Sequence, residues 1–166
     1  MMKCIVAVAQ DWGIGKDGGL LARNKEDMKF FRSMTVGNVV IMGRKTLESF
    51  PGGNPLPDRE NIVITREKEY FREGVHVVHS IVEAEQLANR IADGEKDIFV
   101  IGGESIYRQM LDLCQEAYVT RMHKTYEADT YFPNLDERSE WQLTSQSENR
   151  EYGDGTFCFC TYTRQE

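Results

Sequence analysis

No stretch of this sequence stays apolar for the roughly 20 residues that a membrane-spanning helix needs. Cationic surplus is also missing. A formal net charge of -7 excludes non-specific nucleic-acid binding and requires any anionic ligand to meet a local concentration of positive charge. Cysteine is scarce: Cys4, Cys114, Cys158 and Cys160 show no metal-knuckle spacing, and the last two point to one face of a strand-like run, so all four are read as free buried thiols. His76, His79 and His123 stand in no ligand spacing with acids or cysteines and are read as structural or exposed; no metal site is expected. There is no Walker A loop, no Gly-x-Gly-x-x-Gly fingerprint and no Ser/His/Asp arrangement of a nucleophile elbow. Repeats, low-complexity segments and linkers are absent as well.

What remains is an ordinary globular balance of 40% hydrophobic and 28% charged residues over 166 positions, enough for one domain, 1–166, with a sizeable core. Met1-Met2-Lys3 leads into an apolar run too short for a signal segment, so a cytoplasmic protein is expected. Short apolar runs at 4–9, 38–42, 61–65, 75–78 and 97–101 read as strands buried on both faces, as in a parallel sheet. Helical patterns lie between them. Asn24 caps a helix over 25–35, another covers 82–93 with Ala84, Leu87, Ala88 and Ile91 on one face and Gly94 as its stop, and a third runs over 104–112. The last third changes to β-rich runs at 116–122, 140–147 and 156–163, with Gly153-Asp154-Gly155 as a turn. The expected class is α/β: a mostly parallel central sheet with flanking helices and a C-terminal antiparallel hairpin.

Asp27 is the first anomaly. On the helix 25–35 it shares a face with Phe30, Phe31 and Met34. Two readings stand: a first-turn acid favoured by the helix dipole, or a carboxylate at the floor of an apolar pocket, which burial would penalise without a partner. Gly43-Arg44-Lys45-Thr46 follows the strand 38–42 and opens a helix, which suits a phosphate or is simply a basic helix start. Thr65-Arg66 ends the next strand, and ligands of open α/β sheets gather at such carboxyl ends. Ile101-Gly102-Gly103-Glu104-Ser105 is a third strand-to-helix junction, read as a close backbone approach to a ligand or a tight turn. Arg59 follows the stiff loop 51–58 and either clamps a carboxylate or lies exposed.

Taken in order, Val6-Ala7-Val8-Ala9, Asp11-Trp12-Gly13-Ile14-Gly15, Glu26-Asp27-Met28-Lys29-Phe30-Phe31, Val40-Ile41-Met42-Gly43-Arg44-Lys45-Thr46, Leu56-Pro57-Asp58-Arg59, Ile101-Gly102-Gly103-Glu104-Ser105-Ile106-Tyr107, Tyr118-Val119-Thr120 and Asp129-Thr130-Tyr131-Phe132-Pro133 resemble the dihydrofolate reductases of bacterial chromosomal type. The resemblance implies reduction of dihydrofolate by NADPH, supporting tetrahydrofolate synthesis and one-carbon metabolism. It also implies inhibition by antifolates, a monomer, and neither nucleic acid nor membrane as partner.

The same resemblance assigns residues. Asp27 would hold the pterin and aid its protonation, supported by Thr120. Ile5, Val6, Met28, Phe31, Phe50, Leu56 and Ile101 would line the apolar slot, and Arg59 would grip the glutamate tail. Gly43, Arg44, Lys45, Thr46, Thr65 and Arg66 would hold the adenosine phosphates. Gly102, Gly103, Glu104, Ser105 and Ile106 would cover the pyrophosphate, with Tyr107 by the nicotinamide and the substrate. Ala7, Ile14 and Leu20 would frame the nicotinamide, and Thr130 is placed on the cofactor side. The stretch from Gly13 to about Asn24 resembles the mobile active-site loop, with Gly13, Gly15, Gly18 and Gly19 available for closure. Leu21-Ala22 stands where the family has Pro-Trp, which alters the closing contacts and the water structure near Asp27. Two alternatives are a same-fold pyrimidine reductase of riboflavin synthesis and a catalytically silent nucleotide-binding module.

Overall fold

A computed structural model describes residues 1–166. The chain runs β1 (Met2–Val8), β2 (Gly13–Lys16), β3 (Gly19–Leu20), α1 (Lys25–Thr35), β4 (Val39–Gly43), α2 (Arg44–Glu48), β5 (Glu60–Ile64), β6 (Val75–Val78), α3 (Ile81–Ala92), β7 (Ile98–Val100), α4 (Glu104–Met110), β8 (Glu116–Met122), β9 (Thr130–Tyr131), β10 (Trp141–Gln146), β11 (Arg150–Tyr152) and β12 (Gly155–Arg164).

The main sheet has the order β10-β12-β8-β1-β7-β4-β5-β6, with β11 also on β12. From β8 to β6 every pairing is parallel. β12 runs antiparallel to β8, β10 and β11. This is the expected mostly parallel sheet with an antiparallel end. Helices cover both faces, which is why β1, β4, β5 and β7 are nearly continuous apolar runs. The larger core lies on the side of α3 and α4. A smaller one, on Ile5, Val40, Met42, Val63, Phe99 and Ile101, takes Phe30, Phe31 and Met34 of α1 only partly buried against it.

Three local expectations change. The segment from Gly13, expected to be a loop, contains β2 and β3, which pair with each other, and β2 also pairs with β9 to make a small second sheet. Its turn places Asp17 at φ 51° and Gly18 at φ 80°, the left-handed pair that a two-residue hairpin demands. β6 is not buried on both faces: His76 is exposed because the strand ends the sheet. The third helix stops at Met110 and passes into a tighter 3-10 turn over Leu111–Leu113. Cys158 and Cys160 do share a buried face of β12, with sulfurs 3.7 Å apart.

Candidate active site

α1 starts where it does because Asn24 Oδ1 accepts the Asp27 backbone N–H at 3.2 Å, and Glu26 and Asp27 place acid at the positive end of the helix. The cap fixes the rotation of the helix and aims the Asp27, Phe30, Phe31 and Met34 face at the sheet. There the hydroxyl of Thr120, a buried residue of β8, donates to Asp27 Oδ1 at 2.5 Å. Burial pushes the Asp27 carboxyl above its ordinary range, and the Thr120 hydrogen bond opposes part of that rise. Asp27 is a first-turn acid, and its carboxyl is at the same time withdrawn from water and bonded to Thr120.

β1 supplies the opposite wall. Ile5 pairs with Tyr118 and Ala7 with Thr120 across the parallel register. Tyr107, buried in α4, donates its hydroxyl to the Ile5 carbonyl at 2.8 Å. Burial pushes this phenol well above its usual range, so it stays protonated as a fixed donor. Phe31, Phe50, Leu56 and Ile101 gather on the smaller core, with Met28 on the exposed side of α1.

Arg59 is neither loose nor paired with an acid. Its Nη1 donates to Thr35 Oγ1 at 3.1 Å and its Nε to the Pro57 carbonyl at 2.9 Å, which leaves donors of the guanidinium for a ligand. Arg32 approaches from the end of α1, and burial followed by that like charge lowers the Arg59 pKa. Arg32 and Thr35 are neighbours the sequence reading did not single out. Thr35 lies about two turns after Asp27 on α1, which was the available signal for it.

The phosphate-type junctions converge at the carboxyl ends of the parallel strands. Gly43 donates its N–H to the Gly102 carbonyl at 2.9 Å. A side chain at Gly43 would meet Ile106 at 3.3 Å, and one at Gly102, whose φ is 124°, would meet the Tyr107 ring at 3.3 Å. The backbone conformation thus requires glycine at 102, and a side chain at 43 would press on Ile106. Lys45 and Arg66 are exposed beside them, Thr46 lies 3.7 Å from the position of a Gly103 Cβ, and Thr65 is buried at the end of β5. Ile106 is spent on packing, and the Ser105 hydroxyl accepts from Gln109.

Arg44 is less free than its motif suggests: its guanidinium lies 2.9 Å from Glu48 and 3.7 Å from Glu67.

The small sheet closes the side of the site. Ile14 packs on the larger core, whereas Leu20 is exposed at the hairpin end. Asp129 Oδ2 accepts the Asp17 N–H at 2.9 Å, and the Asp129 N–H donates to the Gly15 carbonyl at 2.9 Å. Thr130 turns its hydroxyl toward Gly15, and Glu104 Oε2 accepts the Tyr131 N–H at 2.6 Å. Thr130 and Glu104 therefore tie elements together in this structure. Ala22 is half-buried beyond the hairpin.

A half-buried carboxyl on α1, together with glycine junctions and cations at the carboxyl ends of parallel strands, fits a nucleotide-binding α/β enzyme. The family profile described as dihydrofolate reductase matches residues 1–164. The chain is 37% identical to a dihydrofolate reductase of Staphylococcus haemolyticus over 138 residues, covering 82% of this chain and 80% of that one. It is 36% identical to a dihydrofolate reductase of Bacillus subtilis, covering 89% and 84%. A solved dihydrofolate reductase of Enterococcus faecalis, complexed with NADP(H) and RAB-propyl, superposes with a TM-score of 0.87 at 32% identity, covering 100% of this chain and 97% of that one. The chain belongs to the dihydrofolate reductase family.

Proposed function

We propose that this protein reduces 7,8-dihydrofolate to 5,6,7,8-tetrahydrofolate with NADPH, acting as a cytoplasmic monomer folded as one domain. The observation that carries the reading is the Thr120–Asp27 hydrogen bond on the apolar face of α1, against a sheet whose parallel strands end in glycine junctions and cations. Those junctions suit a dinucleotide, since Gly43 and Gly102 leave bare backbone at the strand ends beside the exposed cations Lys45 and Arg66. Arg44, Lys45, Thr46, Thr65 and Arg66 would hold its adenosine phosphates, and Gly102 to Ser105 its pyrophosphate. Bound NADPH supplies the hydride.

The residues of the chain do the rest. Ile5, Val6, Phe31, Phe50, Leu56 and Ile101 exclude water and keep the pterin flat in its slot. Arg59, braced by Thr35, grips the glutamate tail by charge-assisted hydrogen bonds. Asp27 holds the pterin and favours protonation at N5, next to the carbon that receives the hydride, with water delivering the proton. Thr120 positions that carboxyl. Antifolates would compete for the same slot.

The test is NADPH oxidation by the purified chain with and without dihydrofolate. Oxidation that requires dihydrofolate and yields tetrahydrofolate is the expected result. NADPH binding with no folate-dependent oxidation would overturn the reading.

A further inference from the structure

We propose that Glu67 is a specificity-determining residue at the ribose end of the cofactor groove, narrowing the preference for NADPH so that the chain also uses a nicotinamide dinucleotide with a free 2′-hydroxyl. This rests on the function proposed above.

Glu67 stands three residues beyond the end of β5, and its main chain is held by two hydrogen bonds. Its N–H donates to Thr65 Oγ1 at 3.1 Å, and its carbonyl accepts the Tyr70 N–H at 3.2 Å. Arg44 begins α2 directly after β4, the strand paired with β5, where Gly43 lies opposite Ile64. The two side chains therefore meet across adjacent strand ends, with Glu67 Oε1 3.7 Å from Arg44 Nε.

Glu48 also faces Arg44, at 2.9 Å, but its other oxygen is occupied by the Tyr70 hydroxyl at 3.3 Å and lies 3.8 Å from Arg72. Glu67 has Arg44 as its one ion-pair partner and keeps acceptor capacity for a ligand.

An arginine at such a strand end accommodates a ribose 2′-phosphate, whereas a carboxylate there accepts a hydrogen bond from a ribose 2′-hydroxyl. This chain places both side by side. A 2′-phosphate reaching Arg44 must displace Glu67 or sit beside its like charge. A 2′-hydroxyl finds in Glu67 an acceptor already in place. Arg66, exposed one residue earlier, keeps the balance in favour of the phosphate.

The experiment compares kcat/KM for NADPH and NADH at saturating dihydrofolate in the parent chain and in Glu67→Gln. The substitution keeps size and removes the charge. The NADPH-to-NADH ratio is expected to rise about tenfold, the product of two surface-strength interactions that move in opposite directions. The change should be carried in KM, lower for NADPH and higher for NADH. Calorimetric titration with NADP+ and NAD+ should give the same shift in the ratio of Kd values. A ratio unchanged within about twofold in both measurements, at the low salt where such charges act most strongly, would overturn the proposal. A chain that binds both dinucleotides but oxidises neither with dihydrofolate overturns the proposed reaction instead, and the binding ratio alone then decides Glu67.

Discussion

Thr120 and Asp27 are separated by 93 positions, yet the Thr120 hydroxyl reaches Asp27 Oδ1 at 2.5 Å. The parallel β1–β8 pairing sets the height of Thr120 in the sheet, and the Asn24 cap sets the rotation of α1. Burial raises the pKa of the acid and the hydroxyl lowers it. The cleft thus holds a carboxyl under opposed influences, as acid–base catalysis requires.

Asp27→Asn should separate function from stability. Hydride transfer at neutral pH is expected to fall by about 10²- to 10⁴-fold, the range for one positioned acid–base group. Stability should move the other way. The folded pKa of Asp27 lies above its ordinary 3.8. Below 3.8 both states are protonated and no penalty exists; as pH rises through the folded pKa, ionisation of a buried group destabilises the fold. The variant should therefore melt higher at neutral pH, with the gain vanishing below about pH 3.8. Single-turnover kinetics and thermal melts across pH check both halves, and an unchanged rate near neutrality ends the assignment.

Thr120→Val keeps the shape and deletes the donor. Burial then acts on Asp27 unopposed, so its pKa should climb further. The fold should lose about 1–3 kcal/mol, the cost of leaving a buried acceptor without its donor. NMR titration of the Asp27 carboxyl carbon reads the first effect and urea unfolding the second. A carboxyl that titrates as in the parent would show that the hydroxyl is a bystander.

Much of this was legible in the sequence, and the gaps have physical causes. The parallel strands announce themselves because β1, β4, β5 and β7 are buried on both faces. Helix α1 is readable because Asn24, the first-turn acids and the Phe30, Phe31, Met34 stripe all agree. The small sheet is not, because Gly13, Gly15 and Gly19 carry no strand signal, although Asp17-Gly18 is a hairpin turn signal that the loop reading passed over. The Asp27–Thr120 bond was reachable only through the family resemblance. The carboxylates on Arg44 and the Thr35 brace on Arg59 depend on which strand ends and helix turns fold side by side, and no local pattern encodes that.

Arg59→Lys tests the tail clamp. A lysine has no planar fork and cannot grip a carboxylate through two parallel hydrogen bonds while also holding Thr35 and Pro57. KM for dihydrofolate is expected to rise about tenfold to a hundredfold, and KM for a dihydropterin without the glutamate tail should stay put. Equal effects on both substrates would place Arg59 outside the clamp.

Gly15→Ala tests the hairpin as a closing element. A methyl group there would lie 2.7 Å from Thr130 Oγ1 and 3.0 Å from the Gly19 carbonyl, so β3 or β9 must shift. Overpacking of this kind costs about 1–3 kcal/mol, and here it falls on a two-residue strand and a two-residue partner rather than on the main sheet. The Asp129–Asp17 contact is expected to loosen, so limited proteolysis should cut near Asp17 and Gly18 faster than in the parent while the global melting temperature moves little. NADPH should slow that cleavage in the parent by holding the hairpin against the groove, and protect the variant less. Cleavage unaffected by NADPH in the parent would show that the hairpin takes no part in closing the site.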